Sequence, residues 1–70
     1  MLYNNSNGRK YEVVELNNIS QVAILKPLTP TFDKYPFMVA KGFRIDATSW
    51  DNGIYDLTLA VAQEIYNDYR

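Results

Sequence analysis

Neither cysteine nor histidine occurs anywhere in this 70-residue chain, and the double absence narrows what it can become. A chain of this length buries only about 60% of the surface that its unfolded form exposes. Small domains commonly compensate with disulfides or a structural metal. Without Cys there is no disulfide framework and no thiolate metal site. Without His as well, the usual zinc ligand sets disappear. An apolar core must therefore hold the fold by itself. The composition supplies one, with 47% hydrophobic residues and an aromatic set of six Tyr, three Phe and one Trp, side chains that each bury a large area.

The same absence bears on chemistry. Histidine is the side chain whose ordinary pKa lies near neutrality, so Ser-His-Asp and Cys-His arrangements are excluded. The acids do not rescue a site. Glu12 and Glu15 are three apart along a strand, which predicts opposite faces, and Asp46, Asp51 and Asp56 are spaced by five, whereas a calcium loop needs ligands at alternating positions and a distal Glu. Gly8, Gly42 and Gly53 form no phosphate-cradling loop. The chain is thus expected to be no enzyme and to carry no cofactor and no metal.

Charge excludes further classes. Seven basic and eight acidic residues are interspersed, for a net charge of −1. A duplex-DNA binder would show a basic stripe, and a DNA mimic a dense acidic surface; this chain has neither. Met1 to Lys10 is polar and lacks the apolar stretch of a signal peptide. No apolar run approaches the roughly 20 residues of a membrane span. The expected setting is the cytoplasm, with no membrane contact.

Along the chain, residues 1–9 read as a flexible lead-in, since Asn-Asn-Ser-Asn-Gly offers turns and no core contacts, which leaves 10–70 as the folded domain. Lys10–Leu16 is strand-like, Asn17-Asn18 supplies a turn, and Ser20–Leu25 forms the second arm of a hairpin. Pro27, Pro30 and Pro36 remove backbone donors, so residues 26–35 should be a loop. From Phe37 to Ile45, large side chains at 37, 39, 43 and 45 alternate with Met38, Ala40, Gly42 and Arg44, the period of a strand. Lys41 should lie near an edge, with its ammonium reaching water, and the small strip at Ala40 and Gly42 is where a helix would approach. Asp51-Asn52-Gly53 predicts a turn before a short strand at 54–55. Asp56 or Thr58 can then cap a C-terminal helix. The predicted fold is α+β, a three- to four-stranded antiparallel β-meander packed by one C-terminal amphipathic helix.

The helix is wider on its apolar side than that role needs. At about 100° per residue, Leu57, Val61, Ile65, Thr58, Tyr69, Ala62, Tyr66 and Leu59 fall in one arc of roughly 200°, against the 100° or slightly more of an ordinary docking stripe. The surplus flank, Leu59, Ala62 and Tyr66 with Tyr69, is the candidate interaction surface. Phe32 and Tyr35 in the proline-rich loop join it. Phe37, Phe43 and Trp50 are expected in the core.

The order of Tyr-x-Val-Val-x-Leu at 11–16, Met-Val-Ala-Lys-Gly at 38–42, Ser49-Trp50 and Gly53-x-Tyr55 ahead of a helix resembles a small domain of the large polyvalent-protein-associated group of phages and conjugative elements. Ile54 stands where that pattern has His. The resemblance implies a phage or mobile-element origin and no particular reaction. The expected function is a protein-interaction module, an accessory or anti-defence factor that self-associates or binds a protein partner. The alternative is weak binding of single-stranded nucleic acid by sheet aromatics with Lys41 and Arg44.

Overall fold

A computed structural model describes residues 2–4, 8–28, 34–44, 46 and 50–70. The fold is α+β. Five antiparallel strands, β1 (Leu2–Asn4), β2 (Lys10–Asn17), β3 (Val22–Pro27), β4 (Phe37–Lys41) and β5 (Asn52–Leu57), lie side by side in chain order, and α1 (Leu59–Tyr69) closes the chain. The meander thus has one strand more than expected. Leu2–Asn4, placed by the sequence in a frayed lead-in, pairs with Lys10–Glu12 of β2.

Two bulges set which side chains share a face. Val13 opposes Leu25 while Glu15 opposes Ile24, so Val14 is an extra residue in β2 and bends it. The inserted residue shifts the alternation. Tyr11, Val13 and Leu16 all reach one face, whereas Glu12 and Glu15, facing Lys26 and Ile24 respectively, share the other. The expectation that these two acids oppose each other across the strand is therefore corrected. In β5, Phe37 opposes Leu57 and Val39 opposes Ile54, which makes room for one extra residue. Asp56 adopts a left-handed φ of 61° there, and its Oδ1 accepts the Tyr35 amide at 2.7 Å.

Thr58 caps the helix, its hydroxyl accepting the Val61 amide at 3.3 Å. Asp56 is in the strand and does not act as the cap. The helix lies over β3, β4 and β5, and Ala62 and Tyr66, both buried, pack with Val22, Ile24 and Val39 while Phe37, Leu57 and Ile65 flank them. The stripe that touches the sheet thus contains two of the three residues expected to form a surplus flank. Val61, about 100° round the helix from Ala62, was expected to pack inward and is 42% exposed. The small residue that permits close approach is Ala62 on the helix, where the sequence pointed to Ala40 and Gly42.

Ala40 lies on the opposite face. There Tyr11, Ala23, Leu25, Met38, Ala40 and Phe43 form a second buried cluster, with Val13, Leu16 and Trp50 half-buried against it. Ala23 faces Ala40, and Ala40 faces Gly53, so small residues run in a row across three strands. β2 and β5 would lie about 14 Å apart in a flat sheet at the usual spacing between strands. Yet Trp50, just before β5, meets the Tyr11 ring edge-on at 5.1 Å and the Phe43 ring at 6.4 Å. The sheet curls around this face, and the row of small residues leaves room for the rings.

The strand expected to reach Ile45 stops at Lys41. Gly42 has a φ of +74°, and a Cβ added there would run into the Asp51 side chain, so this position demands glycine on two counts. The turn swings Phe43 out of strand alternation and into the curled face. Its amide donates to the Gln21 carbonyl at 2.8 Å. At the other boundary β3 runs on through Lys26 and Pro27, two residues assigned by sequence to the loop. Residues 29–33 of that loop lie outside the described residues.

Candidate functional site

The residues that sequence singled out as an interaction surface do not assemble into one patch. Ala62 and Tyr66 are buried beneath the helix, while Leu59 and Tyr69 are exposed at its two ends, about 15 Å apart at 1.5 Å per residue. Tyr35 is exposed beside the β5 bulge, its amide held by Asp56. Phe32 lies outside the described residues. The correction for Ala62 and Tyr66 is geometric. The sequence showed a wide apolar arc without showing which part of it meets the sheet.

Lys41 was expected near a sheet edge. It ends β4, which has β3 on one side and β5 on the other, and its ammonium lies 4.0 Å above the Tyr69 ring. No basic residue occupies the last helical turn. Lys41 places a positive charge from the sheet beside Tyr69, near the helix C-terminus where such charge is favoured and where Arg70 caps the helix. The aromatic face adds a cation–π attraction. Lys41 therefore belongs to the helix-covered face, and Tyr11, Phe43 and Trp50 to the curled one. Arg44 is exposed just past Phe43.

Beside the curled-face aromatics the cation is Arg9, a residue sequence reading did not connect with them. Burial raises the Tyr11 hydroxyl above its ordinary pKa of 10.0, an effect opposed by the charge of Arg9 and its hydrogen bond to the tyrosine. The phenol is therefore neutral at physiological pH and hydrogen-bonds the exposed Arg9. Phe43 is fully buried, while Trp50 and Phe37 are half-buried, so of the three expected core aromatics only Phe43 is wholly interior.

The most exposed large apolar side chain among the described residues is one that the sequence reading passed over. Ile19 is 96% exposed at the tip of the β2–β3 hairpin. The turn beneath it is fixed. Asn17 Oδ1 accepts the amides of Ile19 and Ser20 at 3.0 and 2.9 Å, and Gln21 takes a left-handed φ of 55°. Asn17, Asn18, Ser20 and Gln21 surround Ile19 with uncharged polar groups. The signal was present in the sequence as a lone large aliphatic inside a turn of polar residues.

Among the described residues no three His, Cys, Asp or Glu side chains gather into a metal-binding group, and no helix is long and apolar enough to cross a membrane. Comparison with protein-family models, curated proteins and solved structures finds no match for this chain.

Proposed function

We propose that this chain is a small non-catalytic protein-interaction module that engages its partner through the β2–β3 hairpin tip. The observation that carries the reading is Ile19. Leaving an isoleucine in water forgoes about 1.5–3 kcal/mol of burial, and the Asn17 turn has already met the ordering cost that a docking residue otherwise incurs on binding. The tip has no charge for phosphate or an anionic lipid headgroup, and one aliphatic side chain is too little to anchor a protein to a bilayer. A shallow apolar pocket on another protein is the surface that matches it. An accessory or anti-defence role in a phage or mobile element is the biological setting that the sequence resemblance favours, and the polar residues 1–10 favour action in the cytoplasm.

A photo-crosslinking residue at position 19, with one at the exposed polar position Glu64 as control, tests this. The proposal expects a discrete protein adduct from position 19 and none from Glu64; a second copy of the chain would appear as a covalent dimer. No adduct at position 19, or equal adducts at both positions, would overturn it. Nucleic-acid binding ranks second, because the aromatic cluster and Lys41 sit on opposite faces of the sheet.

A further inference from the structure

We propose that Asn52-Gly53 is a site of spontaneous deamidation, and that the carboxylate it creates draws Lys41 off the Tyr69 ring. Asn52 is exposed and opens β5, an outer strand with only β4 beside it. Strand ends of this kind open locally at low cost. No side-chain hydrogen bond holds the Asn52 amide among the described residues. The next residue is glycine, whose missing Cβ lets the backbone nitrogen swing toward the side-chain carbonyl.

The chemistry needs only water. The Gly53 backbone nitrogen gives up its proton to solvent and attacks Asn52 Cγ; a C–N bond forms, the Cγ–Nδ2 bond breaks, and ammonia leaves with a proton. Water then opens the five-membered imide at either carbonyl. The product is aspartate, or isoaspartate with an extra backbone carbon in β5. The net change is one amide and one water converted to one carboxylate and one ammonium ion.

Position decides the consequence. Asn52 is the direct cross-strand partner of Lys41, and side chains at such positions have Cβ atoms about 5 Å apart on one face. A carboxylate there competes with the Tyr69 ring, 4.0 Å from the Lys41 ammonium, for the same charge. Losing that contact loosens the last helical turn, which the Arg70 amide closes on the Tyr66 carbonyl at 3.0 Å.

The test holds the intact chain in warm, mildly alkaline buffer and in mildly acidic buffer. Fragmentation must locate the change, because Asn7-Gly8 is a second Asn-Gly pair. The expected result is a gain of about one dalton at Asn52, faster at alkaline pH and absent at that position in Asn52→Gln. Amide exchange at Arg70 should run about two- to fivefold faster in the product and in Asn52→Asp, the range set by an exposed cation–π contact. If Asn52 keeps its mass while a Trp-Asp-Asn-Gly-Ile-Tyr peptide converts, the site is overturned. Conversion with Arg70 exchange unchanged overturns the link to Lys41.

Discussion

Ile24 and Leu25 are neighbours in β3, and each is fully buried, but they are covered by different means. Ile24 lies under α1 with Ala62 and Tyr66. Leu25 lies on the face opposite α1, where Tyr11, Phe43 and Trp50 fold over a row of small residues. One face is closed by adding an element, the other by bending the sheet until its own aromatics meet. A 70-residue chain gains from this economy. Among the described residues, it builds a core on both sides of a single sheet with one helix.

The largest expected effect tests whether the two closures are equally tight. Leu25→Ala and Ile24→Ala should each cost about 2–5 kcal/mol, as truncations at fully buried sites do, measured by chemical denaturation. A near-neutral Leu25→Ala would show the curled face to be open, and the contrast between the faces would collapse. Trp50→Ala should fall below the 3–5 kcal/mol typical of a fully buried aromatic, because its ring is half-buried.

Next, Ala62→Leu should destabilise by about 1–3 kcal/mol by overpacking the helix–sheet contact, while Val61→Leu, one residue away on the exposed rim, should leave the melting temperature nearly unchanged. Equal responses would mean that α1 sits in a different rotation.

The curled face also carries a pH signature. The folded state holds the Tyr11 proton more tightly than the unfolded state does, because burial raises its pKa above 10.0. Stability should therefore be flat with respect to this group below about pH 10 and should fall as pH rises from there toward the higher folded-state value. Tyr11→Phe should remove that alkaline slope; a slope that persisted in the variant would place its origin elsewhere.

The smallest effect concerns Ile19. Replacing it with Ser should change stability by less than about 0.5 kcal/mol, since its side chain touches almost nothing. A clear loss of stability would show that Ile19 packs against the protein's own surface and would remove the basis for the docking role.

The sequence by itself determined the class of fold and the positions of most elements. Alternation in β4 and the 3.6-residue period of α1 are written in local patterns that backbone geometry enforces wherever the elements end up. The Asn17-Asn18 turn is written in residue type, whereas the choice of Thr58 over Asp56 as the cap came with the structure. The sequence also restricted the core to apolar packing, through the lack of Cys and His. The tertiary structure decided what local periods do not encode. An inserted residue at Val14 moved Glu15 onto the same face as Glu12. The turn at Gly42 carried Phe43 from the expected face to the other. The rotation of α1 made Ala62 and Tyr66 the docking stripe, because the helix settles where a small residue lets it approach Val22, Ile24 and Val39 most closely. The candidate surface moved with that rotation, from the flank of the helix to a hairpin tip where one isoleucine stands in solvent.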